Sequence, residues 1–131
     1  MMFPVIVPSY AAILVLIFVL LSIRVIQMRG SAKIGLGHGN NPAMERRIRV
    51  HGNFAEYVPL ALVLLLCMEL QSQSRILIHV LCIALVAARI THAIGVTPVN
   101  ENFPMRVASV LTTFAVLVVA SVMLLYVAVH G

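Results

Sequence analysis

Four long apolar stretches dominate this sequence, and short polar segments rich in turn-forming residues separate them. A helix needs about 20 mostly apolar residues to cross the hydrocarbon layer of a bilayer, and four such stretches use up most of the 131 residues. With 62% hydrophobic and 10% charged residues, the chain could not bury its apolar surface in a soluble core. The sequence therefore predicts an all-α membrane protein, a four-helix transmembrane bundle that forms a single domain over residues 1–131.

We place the four helices at about residues 5–28, 44–70, 75–96 and 104–129. The glycines, asparagines and proline within residues 30–42 predict a loop, and residues 71–74 predict a short polar turn. The first apolar stretch has no basic segment before it and no Ala-x-Ala-like cleavage site after it. We therefore interpret it as a retained transmembrane helix rather than a signal peptide.

The distribution of basic residues predicts the orientation of the helices in the membrane. Both termini lack Lys and Arg, whereas the basic residues cluster around the first loop, at Arg29, Lys33, Arg46, Arg47 and Arg49. Short loops rich in Lys and Arg face the cytoplasm. The loops between helices one and two and between helices three and four are therefore predicted to be cytoplasmic, with both termini on the opposite side.

The positions of the basic residues and of the cysteines argue against a nucleic-acid-binding surface and against a metal site. The net charge of +5 comes from residues at helix ends or within apolar segments, whereas nucleic-acid binding needs a dense, solvent-facing basic patch with aromatic residues. Cys67 and Cys82 lie in apolar runs without CxxC or Cys/His spacing. They are typical of two buried thiols, so neither a disulfide nor a metal site is predicted.

The second helix begins with a polar face. At 100° per residue, Asn53 lies about 40° from Arg49, Glu56 about −20° and Tyr57 about 80°. Ionisable side chains at membrane depth normally face a protein interior or a wet cavity. One hypothesis is a ligand site in which Arg49 binds a carboxylate, Glu56 an ammonium and Asn53 an amide. The alternative is an ion pair between Arg49 and Glu56 that joins helices, and the sequence favours neither.

Further polar residues belong to the other helices. Arg89 and His92 lie one turn apart near the end of helix three, and Arg106 begins helix four at the same depth. We expect these basic groups to converge near the Arg49 face, the alternative being that each anchors its helix at the membrane surface. Three other predictions concern the remaining polar residues: helix contacts for His51 and Glu69, and a solvated Glu101.

Three motifs resemble the MAPEG family, the membrane-associated proteins of eicosanoid and glutathione metabolism. The first is R-x-x-x-N-x-x-E-Y-x-P from Arg49 to Pro59, within a matching segment that spans residues 44–60. The second is Arg89 followed by His92 and Gly95, and the third is Arg106 at the start of helix four. With four crossings of matching length, the resemblance covers nearly the whole chain.

The resemblance implies a homotrimer that binds glutathione as co-substrate between neighbouring protomers, on the cytoplasmic side. The implied glutathione-binding residues are Arg29, Arg49, Asn53, Glu56, Tyr57, Arg89 and His92. Arg106 resembles the family arginine that stabilises the glutathione thiolate, and it is the implied catalytic residue. That thiolate would attack a lipophilic electrophile or lipid entering from the bilayer.

The third helix departs from the leukotriene-forming branch of the family, which carries two tyrosines where this chain has His92 and Val96. The resemblance is therefore to a bacterial-type, microsomal glutathione transferase-like member with conjugating or peroxide-reducing activity. Two alternatives stay open: a non-catalytic lipid-binding or scaffold member, and a proton or ion pathway through the intramembrane charges.

Overall fold

The computed structural model describes residues 3–131 and confirms the bundle of four helices. The helices are α1 (Ile6–Ala32), α2 (Pro42–Leu70), α3 (Arg75–Val96) and α4 (Phe103–His130). Each of them is long and apolar enough to cross a membrane. The protein is therefore a multi-pass integral membrane protein.

Helix α1 continues four residues beyond the end predicted from the sequence. Gly30 lies inside the helix, where a single glycine costs about 1 kcal/mol but does not break the helix. The helix ends at Lys33, which adopts the left-handed conformation with φ 55°, and the Ile34 amide donates back to the Arg29 carbonyl at 3.1 Å. Loop one is therefore shorter than predicted and covers residues 33–41.

The other three helices each begin at a polar residue whose side chain accepts a hydrogen bond from the first turn. Such N-caps satisfy backbone amides that have no partner within the helix. The cap residues are Asn41, Ser74 and Asn102, and they accept from the amides of Met44, Leu77 and Met105. Because Pro42 and Pro104 occupy the first turns of α2 and α4, where proline loses no hydrogen bond, the starts of these helices are well defined.

Helices α2 and α3 form the centre of the bundle. Both pack against α1 on one side and α4 on the other, and α1 does not contact α4 within the part of the chain that the structure describes. The core between them is apolar, with Leu65, Met68, Cys82 and Leu85 fully buried. Many large apolar side chains of α1 and α4 point outward and are exposed, as expected for surfaces that contact lipid.

Several polar contacts join α1 to α2, and those made by Glu69 and His51 confirm the helix-contact roles predicted for these two residues. The Glu69 carboxylate accepts the amides of Val5, Ile6 and Val7 at 2.7, 2.7 and 2.8 Å, so α2 caps the start of α1. Near the other end, Nε2 of His51 lies 3.0 Å from Oγ of Ser22. The first two helices are thus fixed to each other at two depths.

Gly95 allows α4 to begin close against the end of α3. A Cβ atom at this position would lie 2.9 Å from Cβ of Met105 and 3.4 Å from the Arg106 backbone nitrogen. The Gly95 carbonyl also accepts the Asn102 amide at 2.9 Å. This close approach determines where Arg106 enters the bundle.

Candidate functional site

A polar cavity of about 520 Å³ opens between α2, α3 and α4 at the end of the bundle that carries loops one and three. Its volume lies in the range typical of small-molecule sites. The lining residues are Pro42, Glu45, Arg46, Arg49, Asn53, His92, Val96, Glu101, Arg106 and Val110. Four of the eight residues predicted for the site therefore share one cavity: Arg49, Asn53, His92 and Arg106.

Each of these three helices contributes to the cavity through its local geometry. Arg49 and Asn53 are four residues apart on α2, which places them one above the other on the same helix face. His92 is 95% buried on α3, with 5% of its surface exposed, and Arg106 lies in the first turn of α4. The predicted convergence of His92 and Arg106 on the Arg49 face is thus present in the single chain.

Glu101 bridges two arginines across this cavity, so the prediction of a solvated loop carboxylate is wrong. Its Oε2 lies 2.9 Å from Nη1 of Arg46, and its Oε1 lies 3.2 Å from Nη1 of Arg106. Only 21% of the Glu101 side chain is exposed. The hydrogen bond from Arg46, with the nearby charge of Arg106, holds the pKa of this loop carboxyl below its ordinary value.

Sequence reasoning missed three charged residues of the cavity: Glu45, Arg46 and Glu101. Arg46 and Glu45 precede Arg49 by three and four residues, so helical spacing puts them on the same face. That signal was present in the sequence. No comparable signal existed for Glu101, because its position depends on how the chain turns between α3 and α4.

Arg89 lies behind the cavity and supports it rather than lining it. Its side chain is buried, with 2% of its surface exposed, and it donates to Oδ1 of Asn53 at 2.7 Å and to Oγ1 of Thr113 at 2.6 Å. Its Nε is buried without a partner among the described residues. Because Arg89 occupies the carbonyl oxygen of Asn53, the amide group of Asn53 is the side available to a ligand.

The remaining three predicted site residues lie away from the cavity in the single chain. Arg29 donates to the carbonyls of Gly37 at 2.9 Å and Ile34 at 3.4 Å, and so holds loop one. Glu56 is exposed, and the ring of Tyr57 packs at 5.5 Å from that of Phe114. The alternative ion pair between Arg49 and Glu56 is not formed: both ion pairs within residues 3–131 involve Glu101.

The charges and donors of the cavity suit an anionic ligand that also carries a cationic group. Three arginines and two glutamates line it, which leaves an excess of one positive charge. Guanidinium groups bind carboxylates in a bidentate geometry, and Val96 and Val110 add an apolar wall. No group of three or more potential metal ligands occurs among residues 3–131.

Comparisons with known proteins show what this chain is similar to. The model of the MAPEG family matches residues 7–126. A curated relative, "Inner membrane protein YecN" of Escherichia coli strain K12, is 34% identical over 86 residues, and the same values hold for its counterpart in strain O6:H1. The alignment covers 66% of this chain and 66% of the length of these relatives. No solved structure matches the chain significantly.

Proposed function

This chain belongs to the MAPEG family, and on that premise we propose that it is a glutathione-dependent transferase. It joins glutathione to lipophilic electrophiles from the bilayer, with peroxide reduction as an accompanying activity. The observation that carries the proposal is the cavity in which Arg49, Asn53, His92 and Arg106 meet. These residues belong to the family motifs, and three different helices supply them.

The chemistry of glutathione matches the cavity group by group. Its two carboxylates suit the guanidinium groups of Arg46 and Arg49, and its ammonium suits the Glu45 carboxylate, all of which line the cavity. Its amides suit the side-chain amide of Asn53, whose carbonyl oxygen is held by Arg89. The apolar wall at Val96 and Val110 accommodates the thiol and the lipophilic partner.

The proposed role of Arg106 is to stabilise the thiolate. A thiol with a pKa of about 8.5 is mostly protonated at neutral pH, and the thiolate is the nucleophile. Each unit by which the pKa falls requires about 1.36 kcal/mol of preferential stabilisation of the anion. A guanidinium beside the sulfur in a partly dehydrated cavity supplies this stabilisation. The thiolate sulfur then forms the new bond to the electrophilic carbon, and the leaving group departs with the displaced electron pair.

A homotrimer would explain why three of the predicted glutathione-binding residues, Arg29, Glu56 and Tyr57, lie away from the cavity of the single chain. Glu56 is exposed on the single chain, and Tyr57 is half-buried on the same side of α2 as Arg49. A site between neighbouring protomers, as the family resemblance implies, would take these side chains from one protomer and the cavity from the next. In that assembly Arg29, which holds loop one, would contact the ligand through the same loop.

The test uses purified full-length protein and a model aryl halide as the electrophile. We expect wild type to catalyse conjugation, and Arg106→Ala to lower kcat by about a hundredfold or more, as for the loss of one anion-stabilising donor. The titration midpoint of the bound thiol, followed by ultraviolet absorbance, should rise by about one pH unit. Arg75→Ala is the control, because Arg75 is exposed at the opposite end of α3. Undiminished turnover in Arg106→Ala would remove Arg106 from this role.

Two competing functions make different predictions. A non-catalytic scaffold member would lack turnover and would show no rise in thermal stability at millimolar glutathione, whereas specific binding raises it. A proton or ion pathway would require polar groups throughout the bundle. Instead, beyond Arg89 and Thr113 the core consists of apolar residues such as Leu65, Leu85 and Val116. Proton flux in liposomes would favour the pathway despite this core.

A further inference from the structure

A second concavity, of about 410 Å³, lies between α1 and α3, and we call it the α1–α3 groove. It shares no lining residue with the polar cavity. Its walls are apolar and open to the outside, with Leu20, Ile23, Ile90 and Ile94 exposed over 61, 41, 44 and 60% of their surfaces. Arg24 and Gln27 supply polar groups at one end of the groove.

The position of Arg24 along α1 places this end at the polar boundary of the membrane. Arg24 follows the first residue of α1, Ile6, by 18 positions, which corresponds to about 27 Å along the helix. The hydrocarbon layer is about 30 Å thick. The apolar part of the groove, at Leu20 and Ile90, is therefore at the depth of acyl chains. The Arg24 backbone is near the boundary of the hydrocarbon layer, from which its long side chain reaches the lipid phosphates.

Two arginines lie together at this boundary without an acidic partner. The Arg47 guanidinium donates to the Arg24 backbone carbonyl at 3.0 Å, and so lies next to a residue that lines the groove, although Arg47 does not line it. Neither arginine takes part in the ion pairs within residues 3–131. The chain has only four acidic residues. Glu45 and Glu101 line the polar cavity, Glu69 caps α1 at the opposite end, and Glu56 is not among the residues of the groove.

We propose that the α1–α3 groove binds one anionic phospholipid, with its phosphate between Arg24 and Arg47 and an acyl chain against Leu20, Ile90 and Ile94. The charge supports this choice of occupant, because each Lys or Arg near the membrane surface attracts anionic lipid and pockets between helices bind such headgroups. A second copy of the chain would bring no acidic residue of its own to this depth on α1 or α3. This site is independent of the proposed glutathione chemistry.

The experiment measures lipid binding to the delipidated, full-length protein in detergent by native mass spectrometry. The probes are phosphatidylglycerol, which is anionic, and phosphatidylcholine, which is zwitterionic, with the same acyl chains. We expect phosphatidylglycerol to bind more tightly, and its Kd to rise about fivefold for each arginine removed in Arg24→Gln and Arg47→Gln. Arg75→Gln, at the other end of α3 and outside the groove, is the matched control and should leave the Kd unchanged.

A second variant tests the groove itself rather than its charge. Ile94→Trp fills the groove and should weaken phosphatidylglycerol binding at least fivefold, whereas Val80→Trp should not. Val80 is 55% exposed on the same helix and lies outside the groove. Equal affinity for the two lipids, or unchanged binding in Ile94→Trp, would overturn the proposal. So would crosslinking of Ile94→Cys between two copies, which would identify the groove as an interface.

Discussion

Arg89 is a charged side chain in the membrane-embedded core, and its only partners within the described residues are two neutral oxygens. It donates to Asn53 at 2.7 Å and to Thr113 at 2.6 Å. A buried charge depends strongly on such hydrogen bonds, because leaving one unmade costs the full desolvation of the group. In the cavity, the hydrogen bond from Arg89 fixes the orientation of the Asn53 side-chain amide.

Replacing Thr113 with Val tests this dependence. The substitution removes the buried acceptor of Arg89 while nearly conserving volume, so we expect a loss of about 1 to 3 kcal/mol in the free energy of unfolding. Thr112→Val is the matched control, since the Thr112 hydroxyl bonds only to the Ala108 carbonyl of its own helix, and it should change stability by less than about 0.5 kcal/mol. Unfolding by a denaturing detergent measures both, and equal losses would contradict the role given to Thr113.

The pKa of Glu101 leads to a prediction about pH. Its bonds to Arg46 and Arg106 lower the pKa of this carboxyl below the ordinary 4.5. The ion pairs therefore contribute fully above pH 4.5, and their contribution is lost as the pH falls through the lowered pKa. The Tm of wild type should exceed that of Glu101→Gln by a constant amount from neutral pH down to about pH 5, and the two should converge in stronger acid. If the difference in Tm between wild type and Glu101→Gln did not change with pH, the charge of the carboxylate would not contribute to stability.

At the scale of single residues, the sequence shows which residues are chemically unusual more readily than it shows which residues they contact. Helical spacing placed Arg49 and Asn53 on one face, and both line the cavity. It could not reveal that Arg89 bonds to Asn53 across 36 positions, because that contact depends on the relative rotation of two packed helices. Nor could it place Glu101, which reaches Arg46 across 55 positions through the path of a loop.

At the scale of helices, hydropathy predicted the four crossings. The exact ends of the helices depend on cap residues, prolines and backbone conformation. The starts of α2 and α4 were predictable within two residues, because an asparagine cap and a proline mark each of them. The end of α1 was not, since Gly30 suggested a stop and the helix instead ends where Lys33 adopts a positive φ. The local sequence predicts N-terminal cap residues better than it predicts the backbone conformation that ends a helix.

Gly95 gives a prediction at this scale, because it sets the distance between α3 and α4. In Gly95→Ala the new methyl would lie 2.9 Å from Cβ of Met105, so α4 must move. We expect a loss of about 1 to 3 kcal/mol in stability and weaker glutathione binding, as Arg106 moves with the helix. Gly52→Ala is the control: nothing lies within 4 Å of its new methyl, and a helical Gly→Ala change stabilises by about 0.5 to 1 kcal/mol. Thermal unfolding and a glutathione-binding isotherm are measured for both variants. If Gly95→Ala and Gly52→Ala had the same stability and affinity, a packing role for Gly95 would be excluded.

At the scale of the whole molecule, the polar cavity and the α1–α3 groove are unlike each other in lining and in position. The polar cavity lies between α2, α3 and α4, and the α1–α3 groove lies on the other side of α3. This separation follows from the arrangement in which α1 and α4 flank the central pair without touching. Hydropathy alone predicts a bundle but not which helices are neighbours, so neither opening could be placed from the sequence.

The basic residues around loop one lead to a prediction about sidedness. If this end faces the cytoplasm, a membrane-impermeant thiol reagent applied to intact cells should label Ser72→Cys but not His38→Cys or Asn100→Cys. Cell lysis should expose the latter two. The experiment uses a background in which Cys67 and Cys82, both free thiols, are replaced by Ala. Labelling of His38→Cys in intact cells would reverse the orientation.

The bridge formed by Glu101 also bears on which anions can enter the cavity. A carboxylate tethered in the chain has a high effective concentration at Arg46 and Arg106, because holding it there costs no translational entropy. Chloride or acetate, each offering a single charge from dilute solution, competes poorly with it. A ligand with several anionic groups on one framework gains from each additional contact without repeating that entropic cost. We therefore expect the cavity to favour polyvalent anions over monovalent ones.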